Sequence, residues 1–243
     1  MEQILFARDG MWYALEGRIV ANGPMSELLK SLQNRFSFAP VFLPYGDAGC
    51  AAFGQHDRRR FFLMYMEPKK RVIQYLNENT NARTAYSIIM PHMYIALFFR
   101  GGAIENGYAL VAKKKIMSMK DQLGMAALPN LSLPYGHICT GTRAMWPITQ
   151  DPAETAGSYL KYFLTSEFTA HINNHFTLVP KEIQPDQKLW RNDFYKANEE
   201  MLDKWQKYSD EKGMDGILAL DWHVEHTLES IIRELWNIKE EEA

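Results

Sequence analysis

The chain has 243 residues, 47% of them hydrophobic, which is enough apolar material to bury a substantial core. Its 27 basic and 29 acidic residues give a formal net charge of -2, so no whole-domain basic field exists to hold nucleic acid. The two cysteines exclude a disulfide framework and a cysteine-based zinc cage, which favours a globular protein of the reduced cytoplasm.

The first residues predict a small β meander and a helix rather than a leader or a membrane span. Charged residues interrupt Met1–Val20, and no later stretch reaches about 18 uncharged apolar residues, so no membrane partner is expected. Within that range, short apolar runs are separated at Asp9-Gly10 and Glu16-Gly17, which is typical of hairpins. The apolar residues that follow have the spacing of one buried helical face and are Met25, Leu28, Leu29 and Leu32.

The middle of the chain predicts an antiparallel sheet. Phe61–Met66 and Arg71–Leu76 have the composition of strands and are joined by a turn over residues 67–70. Met93–Phe99 and Tyr108–Met117 form a second such pair around glycine-containing turns. We therefore expect both pairs to lie in one antiparallel sheet.

In the last third of the chain the apolar residues change to helical spacing. A first helix is predicted over Asp151–Ser166, and its apolar stripe continues through Phe168 and Ile172. Further helical stretches are predicted over Trp190–Trp205 and Val224–Leu235. The predicted fold class is α+β, with an antiparallel sheet flanked by helices, an N-terminal β meander and a helical C-terminal extension.

The segment from residue 128 to residue 141 carries the motif with the clearest chemistry. It reads LPNLSLPYGHICTG and is followed by Trp146-Pro147 before the predicted helix. It resembles the active-site stretch of ubiquitin-conjugating enzymes, in which His-Pro-Asn precedes a turn, an aliphatic residue and the catalytic cysteine, and Trp and Pro precede the next helix. Leu128 stands where that family has His. The residues that match in order are Pro129, Asn130, Gly136, Ile138, Cys139, Trp146 and Pro147.

The nearest branch by resemblance is the prokaryotic ubiquitin-conjugating-like family that includes the plasmid-borne PRTRC system protein B. The resemblance implies a ubiquitin-conjugating-like core over residues 81–180, between an N-terminal α/β extension over 1–80 and a C-terminal helical extension over 181–243 packed on the core. It also implies an acyl carrier whose partners are a ubiquitin-like protein, a ThiF-like activating enzyme and a protein acceptor. That chemistry requires no cofactor and no metal in this chain.

Three residues of the motif are assigned roles by the resemblance and by their own chemistry. Cys139 is the predicted nucleophile that forms a thioester, so it should lie near the surface in a loop after the sheet. Asn130 is predicted to donate a hydrogen bond to the oxyanion or to hold the loop, and it should lie on the approach to Cys139 with its amide facing the cysteine. His137, two residues before the cysteine, is predicted to share its strand face and favour the thiolate.

Simpler interpretations of these residues stay open. Cys139 is alternatively a small buried hydrophobe in an accessory protein that binds others through its helical C-terminus. Asn130 is then a turn former and His137 a surface residue. A third possibility is a catalytically inactive protein that uses the same fold for binding or assembly. Cys50, among small apolar residues, is predicted to be structural.

Weaker patterns occur elsewhere in the chain. His223 and His226, with nearby glutamates, have the spacing of half a metal site but lack a third ligand, so an exposed helix start is the preferred interpretation. The basic runs Arg58–Arg60 and Lys113–Lys115 are predicted to be solvated charge on strands rather than a docking surface for an acidic partner.

Overall fold

A computed structural model of the chain describes residues 4–8, 11–15, 19–24, 37–42, 48–56, 59–100, 103–126, 128–132, 136–139, 152–169 and 175–236. The strands, in chain order β1 to β15, are Ile4–Arg8, Met11–Leu15, Ile19–Pro24, Ser37–Phe42, Ala48–His56, Arg59–Met66, Lys69–Asn77, Ala82–Met90, His92–Arg100, Ala103–Ala112, Gln122–Met125, Leu131–Ser132, His137–Ile138, Glu167–Thr169 and His226–Thr227. The α-helices, α1 to α4, are Pro152–Thr165, Gln187–Asn192, Phe194–Ala219 and Leu228–Trp236, and 3-10 helices cover His175–Leu178 and Lys181–Ile183. The predicted α+β fold class is confirmed. Across these ranges, no helix is long and apolar enough to cross a membrane.

The N-terminal strands form the predicted meander. β1 pairs antiparallel with β2, and β2 pairs antiparallel with β3. The resulting three-stranded sheet agrees with the turn signals at Asp9-Gly10 and Glu16-Gly17. The helix predicted over residues 25–32 lies outside the described residues.

A nine-stranded sheet forms the centre of the molecule. Its main path runs β12-β13-β10-β9-β6-β5-β4, and β11 pairs with β10 and with β15. Alternate residues along β6 and β9 belong to two different buried clusters, so both faces of these strands are covered. Their almost uninterrupted apolar sequences follow from burial on both faces.

The predicted pairing of Met93–Phe99 with the next strand is confirmed, but the second strand is shorter than predicted. β9 and β10 pair antiparallel, and β10 ends at Ala112. Lys113–Lys115 therefore lie in a loop and not on a strand, which corrects the prediction for this basic run. Ile116 anchors that loop, because its side chain is buried and its N–H donates to Tyr94 Oη at 2.9 Å.

The prediction that Phe61–Met66 and Arg71–Leu76 share one sheet as a pair is wrong. β6 pairs with β5 and β9 in the large sheet, whereas β7 pairs antiparallel with β8 and parallel with β14 in a separate sheet. Both edges of β6 are occupied, so the short connection at residues 67–68 carries the chain from one sheet to the other. β8, which the sequence analysis did not predict, is the hairpin partner of β7.

Helix α3 covers the free edge of β8. Trp205 Nε1 donates to the carbonyl oxygen of Ile89 at 2.9 Å. Ser209 Oγ accepts from the Ile89 N–H at 3.0 Å, and Gln206 Oε1 accepts from the Ser87 N–H at 2.6 Å. An edge strand otherwise leaves its N–H and C=O groups unpaired. Three side chains of one helix thus take the place of a neighbouring strand.

Ser209→Ala is expected to lower the free energy of unfolding by about 1–3 kcal/mol, because the buried Ile89 N–H loses its acceptor. Ser209 is only 2% exposed, so water cannot easily replace the hydroxyl. Urea unfolding measures the change. Lys207→Ala, at an exposed position of the same helix, is the control and should change stability by less than about 0.5 kcal/mol. Equal stability of Ser209→Ala and the wild type would show that the hydroxyl does not serve the strand edge.

The predicted first helix of the last third is confirmed, but its apolar stripe does not continue as helix. α1 ends at Thr165, and Phe168 lies in β14, which pairs parallel with β7. Phe168 is 1% exposed and meets Phe163 edge to face, with ring centroids 5.5 Å apart. Burial against α1 therefore explains the apolar residue without a helix. Ile172 lies outside the described residues.

Candidate active site at Cys139

Cys139 lies directly after β13, at the end of a small antiparallel ladder. β13 pairs with β12 on one side and with β10 on the other. The Cys139 N–H donates to the carbonyl oxygen of Asn130 at 2.9 Å, which extends the β12–β13 ladder by one hydrogen bond. The cysteine is partly exposed. The predicted location after an antiparallel strand and near the surface is confirmed, whereas the thioester-forming role stays a prediction.

Gly136 sets how closely this ladder approaches β10. Its φ is +72°, in the left-handed region that favours glycine. Its carbonyl oxygen accepts a hydrogen bond from the Ala109 N–H at 2.9 Å. A Cβ at this position would overlap the carbonyl oxygen of Ala109 and lie 2.7 Å from the Met125 side chain. The glycine therefore permits the turn and the close contact that precede His137 and Cys139.

Asn130 joins the cysteine segment to the small sheet. Its side-chain Oδ1 accepts from the Thr169 N–H at 2.5 Å and from Thr169 Oγ1 at 3.0 Å, and its Nδ2 donates to the carbonyl oxygen of Glu167 at 3.4 Å. The carboxamide thus bonds to the outer edge of β14 as a neighbouring parallel strand would. The backbone of Asn130 lies beside Cys139, as predicted, and its side-chain bonds tie the cysteine segment to β14. That the amide faces the cysteine stays a prediction.

His137 supplies no fixed positive charge near neutral pH. It is half-buried, and its ring meets Tyr108 edge to face with centroids 5.5 Å apart. Burial lowers the pKa of its imidazole, so the neutral form predominates at pH 7. The predicted effect of His137 on the Cys139 thiol stays a prediction, and at neutral pH it would be exerted by the neutral imidazole.

The partly buried imidazole is expected to make stability depend on pH. Because the pKa of His137 is lowered in the folded protein, the unfolded chain binds more protons as the pH falls. The contribution of the neutral His137 to the free energy of unfolding is fully present above the unfolded pKa of about 6.5. It is lost as the pH falls below that value towards the lowered pKa of the folded protein. His137→Phe should weaken this dependence in urea unfolding at about pH 7.5 and about pH 5. Burial and Lys115 also lower the pKa of His92, so some dependence should persist. An unaltered pH dependence in His137→Phe would contradict this assignment.

Tyr159 of α1 is a buried tyrosine near the cysteine segment that the sequence analysis did not single out as functional. It is 0% exposed, and a Cβ added to Gly107 of β10 would lie 2.6 Å from its hydroxyl oxygen. Burial raises the pKa of this phenol, with smaller contributions from Tyr162 and Cys139. The apolar stripe of α1 predicts that Tyr159 is a core residue but not where its hydroxyl lies. That location follows from the packing of α1 on β10.

His223 and His226, which have the spacing of half a metal site, lie just before α4. In the ranges that the structure describes, no group of three or more metal-ligating side chains occurs. His223 Nε2 and Glu225 Oε1 are 3.0 Å apart, while His226 lies in β15 opposite Leu123. The predicted helix start at these histidines is wrong, because the chain first pairs with β11 and α4 begins only at Leu228.

Comparisons of the chain with models of protein families, with curated proteins and with solved structures find no match. The similarity of residues 128–147 to ubiquitin-conjugating enzymes therefore stays a resemblance between sequences. Two features of the described residues bear on the chemistry expected from it. They are the partly exposed Cys139 and the bridge that Asn130 makes from Cys139 to β14.

Proposed function

We propose that the chain is a ubiquitin-conjugating-like acyl carrier in which Cys139 forms the thioester. A ThiF-like activating enzyme supplies the C-terminal carboxyl group of a ubiquitin-like protein, and the carrier passes it to an amine of a protein acceptor. The observation that carries the proposal is the placement of Cys139. It is partly exposed and bound through its N–H to Asn130 at 2.9 Å, within the segment that resembles the family motif.

The proposed chemistry consists of two acyl transfers. In the first, the Cys139 thiolate attacks the thioester carbonyl on the activating enzyme, a C–S bond to Cys139 forms, and the activating enzyme's thiolate leaves. In the second, the acceptor amine attacks the Cys139 thioester, a C–N bond forms, and the C–S bond breaks. Cys139 leaves as thiolate and the proton of the amine passes to solvent. Both steps balance without an oxidant or a reductant.

Asn130 is suited to support the second transfer. The attacked carbonyl oxygen becomes an oxyanion, and an aligned amide donor at such an oxygen contributes about 2.7–4 kcal/mol. Asn130 Nδ2 carries two protons. Within the described residues one of these protons has a partner, the Glu167 carbonyl oxygen at 3.4 Å. Asn130 can therefore support the loop with one N–H and donate the other to a further acceptor.

A catalytically inactive binding or assembly protein is the second candidate. The contacts of Asn130 with β14 favour it, because they account for the residue as a purely structural link. In that case Cys139 forms no thioester, and the fold serves to hold a ubiquitin-like protein or another partner. The two candidates differ in whether Cys139 becomes charged with the modifier.

Charging of the chain with the modifier can be tested directly. The chain is incubated with a ThiF-like activating enzyme, a ubiquitin-like protein and ATP, and the products are separated on a non-reducing gel. We expect an adduct of chain and modifier that dithiothreitol removes. The thioester between the activating enzyme and the modifier, seen in the same lanes, shows that activation has occurred. An activating enzyme that is charged beside a chain that is not would favour the inactive binding protein.

A further inference from the structure

We infer that Thr169 is a positioning residue for acyl transfer from Cys139, because it fixes the orientation of the Asn130 carboxamide. The inference rests on the proposed function and adds a residue to it. Thr169 lies at the end of β14, 39 positions after Asn130 in the sequence, and no feature of the motif at residues 128–141 points to it.

The contacts of Thr169 determine which end of the carboxamide faces β14. The Thr169 N–H can only donate, and it lies 2.5 Å from Asn130 Oδ1. The Thr169 hydroxyl donates to the same oxygen at 3.0 Å. A flipped carboxamide would set its NH₂ group against the backbone N–H, donor against donor. Nδ2 is therefore held on the other branch, with one proton towards the Glu167 carbonyl oxygen.

β14 is a firm support for this orientation. Its three residues pair in register with Gln74, Tyr75 and Leu76 of β7. Phe168 at its centre is 1% exposed. At its start, Glu167 Oε1 lies 2.6 Å from Arg83 Nε of β8. Because β14 is bound on its inner edge, buried through Phe168 and tied to β8, the Thr169 donors keep their place when the cysteine loop reacts.

The orientation matters at one stage of the transfer. Once the amine has attacked, the C–N bond exists, the former carbonyl oxygen carries the negative charge, and the C–S bond to Cys139 is intact. The second Nδ2 proton of Asn130 donates to that oxygen. Collapse then restores the C=O bond, breaks the C–S bond, returns the Cys139 thiolate and leaves the amine proton to solvent. Thr169 touches neither the acyl group nor the amine and acts only through Asn130.

Discharge of an acetyl group from Cys139 tests the inference without any modifier. In a Cys50→Ser background, p-nitrophenyl acetate loads Cys139, and discharge to hydroxylamine is followed by the mass of the peptide that contains Cys139. Thr169→Val keeps the shape and the backbone N–H, so the carboxamide does not flip, but without the hydroxyl Oδ1 keeps only one of its two donors and the amide can turn about that remaining bond. We expect discharge about tenfold slower because the Nδ2 donor is then misplaced. Thr169→Ser, which keeps the hydroxyl, should stay within about twofold of the wild type.

Two comparisons separate positioning from a general effect on the fold. Thr165→Val also removes a threonine hydroxyl, one bonded to the Lys161 carbonyl oxygen at the end of α1, and should discharge at the wild-type rate. In an Asn130→Ala background, Thr169→Val should cause no further slowing, since the residue acts through the carboxamide. Wild-type discharge by Thr169→Val, or equal slowing with and without Asn130, would overturn the inference. A chain that the activating enzyme cannot charge, but whose acetyl discharge depends on Thr169, would refute the proposed function alone.

Discussion

Cys139→Ser is expected to lose the dithiothreitol-sensitive adduct completely and to keep its fold. Serine retains the size and place of the nucleophile at the end of β13. Any product that forms is an oxyester, which resists amines and reductants because an alkoxide is a much poorer leaving group than a thiolate. The charging reaction on gels with and without dithiothreitol measures both effects. We expect either no adduct or a stable one that accumulates instead of turning over.

Cys50→Ser is the matched control for that experiment. Cys50 lies in β5, opposite Met64 of β6 in the register of the large sheet, and its serine variant should be charged like the wild type. The opposite outcome would assign the nucleophile to Cys50 instead of Cys139. If Cys50→Ser abolished charging while Cys139→Ser was charged normally, the resemblance at residues 128–147 would have misled, and the nucleophile would belong to the N-terminal half.

Gly124→Ala is expected to cause the largest loss of stability, about 3 kcal/mol or more. A Cβ on Gly124 would overlap the carbonyl oxygen of His223. Neither backbone can yield easily, because Gly124 pairs with Val111 of β10 and the neighbouring Leu123 pairs with His226 of β15. Moving the His223 segment would also disturb Trp222, which is 1% exposed. Thermal and urea unfolding measure the loss.

Gly157→Ala is the matched control, since the substitution is the same and the surroundings differ. Gly157 lies inside α1 at an exposed position, and an added Cβ would meet no heavy atom within 4 Å. Alanine there should raise the free energy of unfolding by about 0.5–1 kcal/mol, because glycine is a poorer helix former. If the two alanine variants had the same stability, the close packing of Gly124 on the His223 backbone would be contradicted.

The parts of the fold that depend on neighbouring residues could be predicted from the sequence. The β1–β3 meander, the β9–β10 hairpin and α1 each follow from a local pattern of apolar residues and turn signals. β8 gave no such signal, because its first four residues are exposed and its last three buried, so alternation is missing. The separation of β6 from β7 arises because β5, the strand immediately before β6, and β9, which follows β7 and β8, occupy both edges of β6.

The candidate site also has a part that the sequence predicts and a part that it does not. The motif predicts that Asn130 and Cys139 lie together, and a single backbone hydrogen bond joins them. The bridge from Asn130 to Thr169 could not be predicted, because the spacing of Phe168 favoured a helix where the chain forms β14. The charge state of His137 also depends on burial that no short motif encodes. The side-chain contacts of Asn130 thus come from β14, a segment whose apolar residue indicates packing and not a site.

The attachment point of the modifier tests the central claim most directly. After charging, the adduct is digested with pepsin at low pH and without reductant, and the peptides are identified by mass spectrometry before and after neutral hydroxylamine. A thioester carrier predicts the C-terminal fragment of the modifier on the peptide that contains Cys139, released by hydroxylamine. An unmodified Cys139 peptide, with the modifier on Cys50 or on a lysine instead, would contradict it.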